Sequence, residues 1–72
     1  MEYLVVYEKS NDVSIWASIP DLPGCSSCGN SVDEAREHIK EAIELHLEVM
    51  KAEGIKVPAP NHLRAELIEI VA

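Results

Sequence analysis

Few residues in this chain have side chains able to do bond-making or metal chemistry. They are Cys25 and Cys28, the histidines His38, His46 and His62, and a surplus of carboxylates. Cys25 and Cys28 form a lone CxxC. In an extended segment, residues three apart point to opposite faces and sit about 10 Å apart along the strand. A disulfide needs Cα atoms within about 7 Å. A zinc site would need two further ligands, and the three histidines have none of the paired spacings that supply them. The cysteines are therefore read as small residues filling a short strand, with no metal and no cofactor expected. Neither has a histidine near it in sequence or a glycine-rich oxyanion motif, so acyl transfer has no support, although pairing with His38 in space stays open.

Two-metal hydrolysis of a phosphodiester requires several carboxylates converging on one point. Glu8 falls at the end of a first strand, Glu69 in a last one, and Glu34, Glu37 and Glu41 on a helix. No aspartate occupies the middle of the first strand, and the helical acids fall on the wet face. A metal-dependent nuclease is thus a remote alternative, and the chain is not expected to be an enzyme.

The same acids set the partner class. Thirteen acidic residues stand against six basic ones, a formal net charge of −7. That disfavours phosphate backbones, whose affinity comes largely from Lys and Arg. A basic protein partner fits better. No apolar run of about 20 residues is present to span a bilayer, and the N-terminus lacks the basic-then-apolar order of a secretion signal, which places the chain in the cytoplasm.

These side chains must be positioned by a small fold. A chain of 72 residues is read as one domain covering 1–72. Its size buries only about 60% of the surface its unfolded form exposes, so self-association as a dimer or tetramer is expected. Tyr3 to Glu8 is rich in Val and Tyr and reads as strand one, with Asn11-Asp12 as the following turn. From Val13 to Ile19 the apolar Val13, Ile15, Ala17 and Ile19 alternate with Ser14, Trp16 and Ser18, the pattern of a half-buried second strand. Trp16 is the large apolar group on the polar face. It is read first as covered by a helix edge or a neighbouring side chain, with a partner interface as the alternative.

Pro20-Asp21-Leu22-Pro23-Gly24 ends that strand, because proline removes a backbone donor and disfavours helix in the residue before it. Leu22-Pro23-Gly24-Cys25 suits a type II turn. The segment is read as a structural turn in preference to a direct partner contact. A brief third strand follows near Cys25 to Asn30. Ser31 is a good N-cap and Glu34 completes a capping box. Ala35, Ile39, Ala42, Ile43, His46 and Met50 then recur at helical spacing, while Glu37, Lys40, Glu41, Glu44, Glu48 and Lys51 form the wet face. Leu45, Leu47 and Val49 widen the apolar arc beyond one sheet contact, which calls for a second packing partner or a covering strand or loop. Gly54 closes the helix at about 21 residues. Lys56 to Asn61 reads as a connector, and Leu67, Ile68, Ile70 and Val71 as a last strand, with Glu66 and Glu69 on opposite faces. The order β-β-β-α-β, joined by a right-handed crossover, predicts an α+β sheet of order 3-2-1-4 with one long helix packed on it.

The stretch Pro20-Asp21-Leu22-Pro23-Gly24-Cys25, then Ser27, Gly29 and Ser31, then Glu34-Ala35 and Glu41-Ala42-Ile43, resembles the signature of the HicB-family (UPF0150) antitoxins. The likeness continues through Gly54 and Val57-Pro58-Ala59-Pro60, and so covers nearly the whole chain. It departs at His38, where the family often has Asn, and at the Asn11-Asp12 turn, which replaces a glycine turn. The resemblance implies a truncated RNase H-like fold and a protein that neutralises a small basic mRNA-cleaving toxin of the HicA type by covering its RNA-binding and catalytic surface. Longer members add a C-terminal DNA-binding domain. The residues up to Ala72 hold none, so operator binding is not expected. The residues assigned to partner contact are Trp16, Glu37, Glu41, Glu44 and Glu48; a solubilising role for the acidic stripe is the plain alternative. The runner-up function is an interaction or regulatory module of the same fold without a toxin.

Overall fold

The computed structural model describes residues 1–71. Three short strands, β1 (Val6–Lys9), β2 (Ile15–Ser18) and β3 (Ser26–Gly29), form an antiparallel meander in the order β1-β2-β3. One helix, α1 (Val32–Ala52), of 21 residues, packs across β3 and β2. The class is α+β, as the alternation and capping signals predict.

Each boundary has a local cause. The reversal after β1 is held by Asp12, whose carboxylate accepts the Ser14 amide at 2.7 Å and the Ser10 hydroxyl. This Asx-type turn puts Lys9 opposite Ile15 and leaves Val13 outside the sheet and exposed, which shortens the second strand from its expected Val13 start. The loop after β2 is built as expected. Gly24 has φ +84°, and the Cys25 amide reaches the Leu22 carbonyl at 3.0 Å, closing the type II turn. Its Leu22 side chain is 1% exposed and plugs the core.

The helix starts where the Ser31 hydroxyl accepts the Glu34 amide at 3.1 Å. The reciprocal bond from the Glu34 carboxylate to the Ser31 amide is absent among the described residues, so the capping box is half formed. At the other end Gly54 sits at φ +71°, a conformation only glycine reaches without strain. The Ile55 amide bonds the Met50 carbonyl at 2.8 Å and the Gly54 amide that of Lys51 at 3.2 Å. That pair of bonds is a Schellman cap, and it satisfies two of the helix's last carbonyls.

Ala17, Ile19, Leu22, Cys25, Ala35 and Ile39 are the buried core, flanked by Tyr3, Val5, Ile15, Ala42, Ile43 and Leu47. Helix and sheet approach closely at Gly29. A Cβ there would lie 2.6 Å from the Ala35 nitrogen, so β3 can enter the helix N-terminus only without a side chain.

The expected fourth strand, and with it the order 3-2-1-4, is not formed. Residues 55–71 are neither helix nor strand, and the sheet ends at β1. With Glu66 and Glu69 on opposite faces, the run has no uniformly apolar side for the helix to cover. It passes beside β1 without pairing.

Candidate partner-binding surface

The helix builds the first part of the surface. Ala35 and Ile39 face the sheet, which turns Glu37, Glu41, Glu44 and Glu48 outward, all exposed. Their spacing of four, three and four residues stacks them in one stripe. Among the described residues, no basic side chain forms a salt bridge with any of them. The stripe thus keeps four carboxylates free of direct ion pairs, with Lys40 and Lys51 on the same wet face.

Trp16 belongs to a different surface. Alternation along β2 points Ala17 and Ile15 toward the helix and Trp16 away from it, between Glu8 of β1 and Cys28 of β3. It is 47% exposed, so the expected cover from a helix edge is not there: the helix lies on the opposite face of the sheet. The acidic stripe and Trp16 therefore do not form one patch.

A third feature occupies the edge between helix and turn. The excess apolar arc identified in the helix, Leu45 and Val49, lines an open cavity of about 490 Å³ with Ala42, Met50, Ile55 and the turn at Cys25. Leu45 is 62% exposed and Val49 46%. Leu47 packs on the core instead.

Cys25 and Cys28 are free thiols; Cys25 is buried, and burial raises its pKa, which disfavours the thiolate. His38 does meet Cys28, but through the backbone: its Nδ1 lies 2.6 Å from the Cys28 carbonyl oxygen. A carbonyl only accepts, so Nδ1 carries the hydrogen. The contact ties the helix to β3 and leaves the sulfur unengaged. Among the described residues, no group of three His, Cys, Asp or Glu side chains comes together as a metal site, and no helix is long and apolar enough to cross a membrane.

The residue that sequence reasoning undervalued is Asp21. Its carboxylate accepts the amides of Asn61 at 2.8 Å and His62 at 3.0 Å, and His62 Nδ1 lies at 2.8 Å. Three donors hold its pKa below the usual aspartate value, the Asn61 amide foremost. The turn is therefore also a clamp on the connector, 40 residues away in sequence. Tyr3 adds a second tie by donating its hydroxyl to the Pro58 carbonyl. A conformationally allowed turn accounts for the two prolines and the glycine in the motif, but nothing in turn geometry demands an aspartate at its second place.

This combination of a PDLPG turn, a capped helix and an anchored proline connector is matched by a family model described as the HicB-like antitoxin of bacterial toxin-antitoxin systems, over residues 3–69. The chain belongs to the HicB-like antitoxin family. Among its relatives, a UPF0150 protein of Archaeoglobus fulgidus is 47% identical over 51 residues, covering 71% of this chain and 74% of that one. A UPF0150 protein of Thermoplasma acidophilum is 38% identical over 61 residues, covering 85% and 88%. An uncharacterised protein of Haemophilus phage HP1 is 41% identical over 61 residues, which are 85% of this chain but 45% of the phage protein. No solved structure matches. HicB-like membership supports an antitoxin role, hence a toxin partner in general and a non-enzymatic mode of action.

Proposed function

We propose that this HicB-like chain binds and neutralises a small basic mRNA-cleaving toxin of the HicA type by occupying the surface that would receive RNA. The observation that carries this reading is the unpaired stripe of Glu37, Glu41, Glu44 and Glu48 along one side of α1. A toxin that grips RNA must present Lys and Arg toward phosphates. A row of carboxylates on a rigid helix offers those cations a substitute at fixed spacing. Complementary potential accelerates encounter and selects the partner, and contact at the rim excludes the RNA. The apolar cavity beside Leu45 and Val49 adjoins the stripe and supplies area that can be desolvated. The chain acts by cover, with no catalytic step of its own, in the cytoplasm where mRNA is found. In this reading the meander and helix are the core of a truncated RNase H-like domain.

The test is a reconstitution. The small basic protein encoded beside this chain is purified and its cleavage of a labelled mRNA followed with and without the chain, at low and high salt. Neutralisation that weakens as salt rises supports the reading. A stable protein with which no neighbouring gene product associates overturns it and leaves a regulatory module without a toxin.

A further inference from the structure

One flank of α1 is left uncovered by the sheet. Leu45 and Val49, one helical turn apart, stand exposed on it, and Ile55, just past the Schellman cap, is exposed at its end. Between them and the turn at Cys25 lies the open cavity of about 490 Å³. This apolar row has an acidic border. Glu41 and Glu48 stand about one turn before and after Leu45, Glu44 is its neighbour, and Glu53 is one turn beyond Val49, all exposed.

The chemistry of the groove narrows what it can receive. A small molecule needs a site that wraps most of its surface, and this one is open along its outer side. Nucleic acid would bring phosphates against carboxylates. A second α1 laid on the row by two-fold symmetry would set Glu41 and Glu48 against the same residues of another chain of net charge −7.

An added strand is disfavoured by the outer edge of β3. Ile19 donates to the Cys25 carbonyl at 3.3 Å, so the alternation of the antiparallel ladder turns the backbone groups of Ser26 and Cys28 outward. His38 Nδ1 takes the Cys28 carbonyl at 2.6 Å. His38 stands about two turns before Leu45 on the same flank, so its ring closes part of the edge that an incoming strand would pair with.

We propose that the groove receives one amphipathic helix of a partner protein. The helix lays an apolar row beside Leu45 and Val49 and carries Lys or Arg on the one flank that meets Glu41, Glu44 and Glu48. A helix satisfies its own backbone and needs nothing from β3, and its anchors recur one turn apart, as Leu45 and Val49 do. The inference rests on the reading that the partner is a basic protein, and adds which kind of element docks and where.

The experiment maps amide shifts of the isotope-labelled full chain with three synthetic peptides of about 18 residues, a length that supports a helix. One has a Leu stripe and a single Lys flank, with Ala and Gln elsewhere; the second has Glu for Lys; the third scrambles the first. Expected are shifts at Leu45, Val49 and Ile55 with the first peptide, binding about tenfold or more tighter than for the other two, and a loss of about tenfold or more in Leu45→Gln. Leu45 is exposed and Gln is a good helix former, so the circular dichroism of that variant stays as in wild type. Equal binding of the scrambled peptide, shifts that spare Leu45 and Val49, or undiminished binding by Leu45→Gln would each overturn the proposal. RNA protection against the neighbouring basic protein, assayed in parallel, separates the two readings. Protection that Leu45→Gln leaves intact sinks the groove alone; a groove that takes the Leu and Lys helix in a chain that protects no RNA upholds the groove and sinks the toxin.

Discussion

The Asp21 carboxylate accepts a hydrogen from His62 Nδ1 at 2.8 Å while its other oxygen takes the backbone amides of both Asn61 and His62. One side chain in a turn thus fixes where the C-terminal segment departs from the body. Because the bonds are made by one residue to a segment with no regular structure, their loss has a local signature. In Asp21→Ala, amide exchange at Asn61 and His62 rises toward that of a free peptide. Exchange in α1 stays at its wild-type rate, since none of the core residues is touched. Hydrogen exchange read residue by residue checks this; slowed exchange at those two amides despite the substitution would mean that Tyr3 alone holds the connector.

The same clamp is expected to titrate. Donors to the carboxylate favour its ionised form, so the folded pKa of Asp21 lies below its ordinary value, which is about 3.9 in an unfolded chain. A depressed carboxylate contributes its stabilisation fully above the unfolded value and loses it as pH falls through the folded one. The carboxylate's share of the anchoring is therefore fully present above about 4 and is lost as pH falls through the lower folded value. Amide chemical shifts of Asn61 and His62, followed from neutral pH down into the acid range, report the step. Asp21→Asn removes the step. Asp12, lowered first by the Ser10 hydroxyl and then by the Ser14 amide, titrates at its own turn and is left unchanged by that substitution.

Core substitutions separate packing from approach. Leu22→Ala empties the plug under the turn and costs about 2–5 kcal/mol, a range that rivals the whole stability of a domain this small. Gly29→Ala removes nothing and adds one methyl group, but that carbon would meet the Ala35 nitrogen at 2.6 Å, and backbone cannot swing aside as a side chain can. Its expected cost is about 1–3 kcal/mol, against near neutrality for Ser27→Ala one turn of the pleat away. At about 4–8 °C of melting temperature per kcal/mol for a chain of this length, calorimetry resolves all three. A Gly29→Ala variant as stable as wild type would show that the helix start can retreat from β3.

The elements that sequence displayed most plainly are those whose signals are local. Ser31, Gly54 and the Leu22-Pro23-Gly24 turn each require one backbone geometry, and each has it. The last run did not form a strand because pairing is not local: Leu67, Ile68, Ile70 and Val71 have the propensity, but a strand also needs a partner edge, and no pairing with β1 is formed among the described residues. Trp16 was placed correctly on the face opposite Ala17, yet what covers that face depends on where the helix lies, which alternation along β2 leaves open. Asp21 was legible only as a turn residue, since its partners, Asn61 and His62, are distant in sequence and contribute mainly backbone amides that no side-chain pattern announces.

The acidic stripe can be tested apart from the fold that carries it. Glu37 and Glu41, like Glu44 and Glu48, are like charges one helical turn apart, which repel by about 0.2–0.5 kcal/mol per pair. Replacing all four with Gln relieves that repulsion and keeps helix propensity, so the variant is expected to fold at least as firmly as wild type. If the stripe attracts a basic toxin, the variant associates more slowly by roughly tenfold or more at low salt, because steering of this kind raises on-rates by about 10–10³. The gap narrows as salt shortens the screening length from about 10 Å at 0.1 M to about 3 Å at 1 M. Dissociation changes less, since rim charges act chiefly on encounter. Stopped-flow association at two salt concentrations measures both limbs. An unchanged on-rate in a well-folded variant would assign the four glutamates to solubility and move the search for the toxin-binding surface to the Leu45 and Val49 cavity and to Trp16.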